Sequence, residues 1–109
     1  MIGLMGAPVG FGVGLSALAE FLGIKLANPA TLPASTGYGA SFSSDGIYLA
    51  IAHFTSPFVT IYKRSGDTFT KLANPADLPA GNGNGASFSS DGVYLGIAHA
   101  TSPFVTIYK

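Results

Sequence analysis

Two histidines and two aspartates stand at equivalent positions of a repeated sequence and are the first candidates for chemistry. His53 and His99 could transfer a proton or bind a metal, but no second His, Cys or acidic residue stands at chelating spacing. Asp45 and Asp91 lie in Ser-Ser-Asp-Gly, where Asp bonds its own backbone and Gly accepts a positive φ. We therefore interpret the histidines as hydrogen-bonding groups at strand ends and the aspartates as turn residues.

No other pattern predicts catalysis or cofactor binding. Glu20 is the only glutamate, and no serine stands in a nucleophile elbow. Gly81–Gly85, "GNGNG", lacks the helix, lysine and hydroxyl residue of a phosphate-binding loop, and we interpret it as a flexible connection. The chain contains no cysteine, which removes disulfides and thiolate metal sites. We expect no catalytic residue, no metal and no cofactor.

Candidates for ligand binding come from positions at which the two copies of the repeat differ. Tyr38 and Phe54 correspond to Asn84 and Ala100 in the second copy. Most of the differences fall in the connecting loops, where binding residues often lie on a rigid scaffold but where drift is also cheapest. Tyr38 could stack on a sugar, although the absence of tryptophan counts against an aromatic sugar platform. The candidate ligand-binding residues are Tyr38, Phe54, Asn82 and Asn84.

An internal repeat positions all of these residues. Lys25–Lys63 recurs as Lys71–Lys109, which is 46 residues further along the chain. A near-identical repeat of this length is the signature of a repeat architecture. The seven differences are Thr31/Asp77, Ser35/Gly81, Thr36/Asn82, Tyr38/Asn84, Ile47/Val93, Ala50/Gly96 and Phe54/Ala100.

Each copy predicts short antiparallel strands separated by turns. In the first copy the candidate strands are Gly39–Ser43, Ile47–His53, Phe58–Lys63 and Thr68–Leu72. The second strand is apolar on both faces, which indicates that both faces are covered. One of its faces is small in both copies, which would let a neighbouring sheet approach closely; the residues are Ala50, Ala52, Gly96 and Ala98. Ala73–Gly85 is the Pro, Gly and Asn-rich loop between the copies.

Four antiparallel strands per period of about 40–50 residues are typical of a β-propeller blade. "FSSDGIYLAIA" and "FSSDGVYLGIA" resemble the F-S-x-D-G-x-x-L-x-x-A core of WD40-like and YVTN-type propeller repeats, and "VTIYK" resembles the strand that follows it. The resemblance covers Leu22 to Lys109, although Tyr-Lys replaces the Trp-Asp dipeptide of true WD40 repeats. It implies an all-β fold with two four-stranded blades per chain. The stretch "SPFVTIYKRSGDTFTKL" also resembles repeats of phage tail and bacterial surface proteins.

The second copy lacks the outer strand of its blade. Phe58–Lys63 runs on into Thr68–Leu72, whereas the sequence ends at Lys109. Leu22–Leu26 lies 46 residues before Thr68–Leu72 and so has the register of a fourth strand. We expect this segment to complete a blade of a neighbouring subunit. The exchanging residues would be Leu22, Ile24 and Leu26 of one subunit and Phe104, Val105 and Ile107 of the next.

The predicted organisation is an apolar segment at 1–21, a donated strand at 22–26, a first blade at 27–72 and a second blade at 73–109. Propellers have about 4–8 blades, so identical subunits would complete the ring. Dimers of four blades, trimers of six and tetramers of eight are permitted. The six-bladed trimer is favoured because small lectins provide a precedent for chains of two blades that form six-bladed rings. The alternative is a fragment of a longer array, although Met1 favours a complete reading frame.

The first 21 residues carry no charge before Glu20. A signal peptide is one interpretation, because Ala17-Leu18-Ala19 resembles a cleavage site, but no Lys or Arg precedes the apolar stretch. A membrane span is another, but the glycines and Pro8 make a poor helix. We expect this segment to pack against the ring or a partner, and we do not expect the chain to enter a membrane.

Composition and the repeat together favour a non-enzymatic structural or binding module. Charged residues make up 9% of the chain and balance to zero, so no nucleic acid partner is expected. We expect a self-assembling propeller of a phage tail-like or cell-surface assembly, located outside the cell, on its surface or on a virion. Its partners would be copies of itself and a surface glycan or protein. The alternative is a lectin-like carbohydrate-binding propeller, whereas a propeller enzyme such as a lactonase would need an acidic or histidine cluster.

Overall fold

A computed structural model describes residues 21–109, and every element in that range is a β-strand. The strands form two antiparallel sheets, one of four strands and one of three. The expectation of an all-β chain is therefore confirmed for the described residues. The expectations for residues 1–20 lie outside them.

The first sheet is a meander in which each strand pairs with the next along the chain. Its strands are β1 (Gly37–Phe42), β2 (Tyr48–His53), β3 (Val59–Ser65) and β4 (Thr68–Lys71). β3 continues past the predicted end at Lys63, because the amide of Arg64 donates to the carbonyl of Ile47 at 2.7 Å and prolongs the ladder.

The second sheet repeats the first three strands of the meander. Its strands are β5 (Gly83–Phe88), β6 (Leu95–His99) and β7 (Val105–Tyr108). The interpretation of Gly81–Gly85 as a flexible connection is wrong, because Gly83 pairs with His99 and β5 begins there. Tyr38 likewise lies in β1 rather than in a loop. Within residues 21–109 no strand pairs with the outer edge of β7, and residues 22–26 form no strand.

The two sheets pack face to face, with β1 beside β5. The centre of this contact is a cluster of four buried side chains, Ala50, Val59, Leu95 and Ile97. Ile61, Ala86, Phe88 and Tyr108 pack around the cluster. Because Ala50 and Ala52 are small and fully buried, the second sheet lies close against β2, as the sequence predicts. At β1 the backbones themselves approach, since a Cβ built on Gly39 would lie 2.9 Å from the Cα of Gly85.

Candidate functional site

The two histidines are held inside the sheets by both ring nitrogens. Nδ1 of His53 lies 2.8 Å from the carbonyl oxygen of Thr55, and Nε2 lies 2.8 Å from Oγ1 of Thr60. Because a carbonyl can only accept, Nδ1 carries a proton, and in the neutral imidazole Nε2 then accepts from the threonine hydroxyl. His99 makes the same pair of bonds. Both nitrogens of each imidazole are therefore occupied, which leaves no free lone pair for a metal or a substrate.

The two aspartates close the turns after β1 and β5. The hydroxyl of Ser43 donates to Oδ1 of Asp45 at 2.6 Å, and the amide of Ile47 donates to the same oxygen at 2.9 Å. These two bonds hold the pKa of the Asp45 carboxyl below its usual value of 3.8. Asp91 has equivalent bonds, and its pKa is lowered for the same reason. The carboxylates therefore act as fixed acceptors that stabilise the turns.

Two grooves lie on the surface of residues 21–109. A groove of about 170 Å³ lies between residues 27–31 and residues 67–71. A second groove, of about 320 Å³, lies between the sheets and is lined by Tyr48, Ile61, Phe88 and Tyr108 among others. Within the described range no three His, Asp or Glu side chains stand together as a metal site would require. The first groove is lined by both polar and apolar side chains, with Asp67 and Lys71 among them, and the second is lined mainly by apolar and aromatic ones.

Two of the four candidate ligand-binding residues meet in the structure. The rings of Tyr38 and Phe54 stack with centroids 3.9 Å apart and planes 15° apart, and the side chains are 51% and 39% exposed. The pairing of Gly37 with His53 places them side by side. Asn82 and Asn84 are also exposed, and the backbone of Asn84 approaches Gly39. The sequence shows these residues as differences between copies, but their contact depends on the register of β1 and β2.

The residues predicted to exchange between subunits are exposed at two places in the chain. Leu22, Ile24 and Leu26 are exposed and lie before the first sheet, in a segment without regular secondary structure. The other group lies at the end of the chain, where Phe104 directly precedes β7 and Val105 and Ile107 lie in it. No strand pairing joins the two groups within the described chain. Their exposure leaves both groups available to a partner.

The repeat allows the burial of identical side chains to be compared. On the face of the first sheet that packs against the second sheet, Val59 is 0% exposed, whereas its equivalent Val105 is 47% exposed. Val105 shares its face with Gly96, Ala98 and Ile107, and we name this face of β6 and β7 the second outer face. Each of its residues is more exposed than its equivalent in the first sheet. The open surface is therefore a copy of one that the chain buries elsewhere.

The same comparison holds on the other side of the molecule. Leu95 and Ile97 of the second sheet are buried against the first sheet, whereas their equivalents Leu49 and Ile51 are only half-buried. These two residues share a face with Phe42, which is exposed, and we name this face of β1 and β2 the first outer face. Sequence alternation places the residues on this face but does not show whether the face is covered.

Comparisons with known protein families, with curated proteins and with solved structures find no significant match to this chain. Within residues 21–109 no helix is long and apolar enough to cross a bilayer.

Proposed function

We propose that this chain is a non-enzymatic structural module that assembles with copies of itself. The observation that carries the proposal is the pair of apolar outer faces, on which Ile107 is 67% exposed and Phe42 is 54% exposed. Contiguous apolar surface on a small protein marks an interaction site. The repeated polar groups support a binding role over catalysis, because both histidines and the two aspartates of the Ser-Ser-Asp-Gly turns are already bonded within their own turn or strand.

A strand exchanged between copies would complete the second sheet. β4 covers the outer edge of β3, and β7 is the equivalent of β3. Nζ of Lys25 bonds the carbonyl of Leu26 and Oδ1 of Asn28, as Nζ of Lys71 bonds Leu72 and Asn74. The C-terminal end of the segment at 22–26 therefore already has the same local side-chain bonds as the C-terminal end of β4. Each backbone bond added to β7 would contribute a net of about 0.5–1.5 kcal/mol.

A propeller-like ring is the assembly that these features support best. Each sheet is an antiparallel meander, and the first strands of the two meanders, β1 and β5, lie side by side as inner strands around an axis would. Three chains would form six blades, which we favour over the dimer of four and the tetramer of eight. The setting would be a phage tail-like or cell-surface assembly, outside the cell or on a virion, in line with the repeats that this sequence resembles.

Native mass measured by light scattering or native mass spectrometry tests the proposal. We expect a discrete oligomer, with the trimer as the favoured species. Ile24→Asp should weaken assembly because it replaces an apolar side chain of the exchanged strand by a charged one, whereas Thr70→Asp introduces the same charge in β4, which stays within its own chain, and should not. A monomer at all protein concentrations would contradict self-assembly, and equal effects of the two substitutions would contradict strand exchange.

Carbohydrate binding is the second candidate function, and the stacked pair of Tyr38 and Phe54 favours it. Exposed aromatic rings present the apolar faces on which sugars stack. Binding to a glycan array should be lost in Tyr38→Ala and kept in Tyr94→Ala, which removes an exposed aromatic ring elsewhere on the surface. An array without hits for the assembled wild-type protein would contradict this candidate.

A further inference from the structure

We infer that the interface between copies repeats the interface between the two sheets of one chain. The second outer face of one copy would pack on the first outer face of the next. This inference rests on the proposed self-assembly and names the surfaces that carry it. The occupant of each outer face is therefore a second copy of the same chain.

The residues of the internal interface recur almost without change on the outer faces. The internal contact consists of Ala50, Val59, Ile61, Ala86, Phe88, Leu95, Ile97 and Tyr108. Their equivalents are Gly96, Val105, Ile107, Ala40, Phe42, Leu49, Ile51 and Tyr62; of these, Tyr62 is already buried within its own chain and the other seven lie on the outer faces. Only the replacement of Ala50 by Gly96 differs, and a smaller residue does not obstruct contact. A surface complementary to each outer face therefore already exists in this sequence.

The two outer faces differ from each other, so the contact is head to tail. A head-to-tail contact joins the second face of one copy to the first face of the next, and the resulting pair keeps one free face of each kind, one on each copy. Such contacts form a ring if the rotation closes and a filament if it does not. The internal interface fixes this rotation, because the same step would relate every sheet to the next.

A polar bond of the internal interface can also recur between copies. The amide of Phe88 donates to Oγ of Ser41 across the two sheets at 3.1 Å. The equivalent groups are the amide of Phe42 and Oγ of Ser87, which lie on opposite sides of the chain. In the repeated interface, Phe42 of one copy would donate to Ser87 of its neighbour.

Four glycines give this inference a direct test. Inside the chain, a Cβ on Gly39 would meet the backbone of Gly85, and a Cβ on Gly83 would collide with the carbonyl oxygen of Phe58. Their equivalents are less crowded in the single chain, although a methyl added at Gly37 needs a small shift of the Ile51 side chain. A Cβ on Gly85 meets nothing within 4 Å, and a Cβ on Gly37 has only the Cγ2 atom of Ile51 at 3.2 Å. In the repeated interface, these two open positions would be filled by the backbone of the neighbouring copy.

The experiment compares alanine variants at the two open glycines by sedimentation and thermal unfolding. Gly85→Ala and Gly37→Ala should each fold as a monomer and assemble roughly tenfold or more weakly than wild type, because the added methyl overpacks the interface. Each variant keeps one intact face, so an equal mixture of the two should form a one-to-one dimer. Gly39→Ala and Gly83→Ala are the matched controls and should instead lower the Tm of the chain itself.

A thiol-labelling measurement tests the same interface independently of the glycine variants. The chain has no cysteine, so Ala98→Cys introduces a single thiol on the second outer face. Ala98 is exposed, whereas its equivalent Ala52 is fully buried. The thiol should therefore react several-fold more slowly with a maleimide in concentrated than in dilute protein. The thiol of Ala100→Cys, at an exposed position after β6, should react equally in both.

The outcomes separate this inference from the proposed function. A wild-type protein that remains monomeric would overturn both. If wild type is oligomeric, two results would overturn this inference and leave the proposed self-assembly intact. One is that both open-glycine variants assemble as well as wild type, and the other is that the Ala98→Cys thiol is unprotected in the oligomer. Slow labelling at position 98 with monomeric Gly85→Ala and Gly37→Ala variants would support the inference.

Discussion

The buried histidines show how single residues link neighbouring parts of each sheet. His53 is fully buried in β2, and its ring joins the carbonyl of Thr55 in the following turn to the hydroxyl of Thr60 in β3. The sequence predicts a hydrogen-bonding role from the absence of other ligands. It does not identify the threonine, because that partner depends on the pairing of β2 with β3.

Removing the hydroxyl that bonds His53 should destabilise the fold. Thr60→Val leaves Nε2 of a fully buried imidazole without a donor, and we expect the free energy of unfolding in urea to fall by about 1–3 kcal/mol. The matched control is Thr106→Val in β7, whose side chain is only half-buried. Water can replace the hydroxyl there, so the control should lose less. Equal losses would contradict the role of burial.

The lowered pKa of Asp45 should make stability depend on pH in the acid range. A carboxyl whose pKa is lower in the folded than in the unfolded state stabilises the fold above the unfolded value, and this contribution is lost as the pH falls through the folded value. The loss therefore lies below pH 3.8, the usual value for this group. Asp45→Asn should reduce the acid dependence of the Tm below that pH. Ser43→Ala removes the strongest bond to the carboxylate and should reduce it less.

At the scale of strands and sheets, the sequence predicts the elements better than their contacts. Turn residues and apolar alternation correctly place the strands of both copies, because these signals are local. Glycine and asparagine in Gly81–Gly85 are typical of a loop, yet Gly83 and Gly85 lie in β5, where the other sheet approaches too closely for a side chain at Gly83. The stack of Tyr38 on Phe54 and the choice of buried face are likewise missed, because they depend on strand register and sheet packing.

The hydrogen bond between the two sheets should contribute differently in its two copies. Ser41→Ala leaves the amide of Phe88 without its partner across the sheets, and we expect a loss of about 1–2 kcal/mol in the free energy of unfolding. Ser87→Ala makes the same change where the partner would belong to another copy. Its cost should therefore be small in dilute protein and appear only at concentrations at which the protein assembles. A large loss of stability for Ser87→Ala in dilute protein would argue against a hydrogen bond between Ser87 and another copy.

At the scale of the whole molecule, residues 21–109 of one chain contain a single interface between sheets. Six apolar side chains in the described range are buried, and four of them, Ala50, Val59, Leu95 and Ile97, form the cluster between the sheets. Small domains bury a lower fraction of their surface than large ones and are correspondingly marginal. A second interface of the same kind would bury the outer faces, so folding stability and assembly should be coupled.

This coupling predicts a melting temperature that rises with protein concentration. A partner that binds only the folded state adds stability by mass action, about 1.4 kcal/mol for each tenfold increase in free concentration above the dissociation constant. The Tm of the wild-type protein should rise with concentration, whereas the Tm of Gly85→Ala should stay constant and match that of dilute wild type. A constant wild-type Tm would show that the outer faces stay open.

The native mass then distinguishes the two possible assemblies. A rise in Tm that accompanies one fixed native mass would indicate a ring. A native mass that keeps growing with protein concentration would indicate a filament built from the same contact.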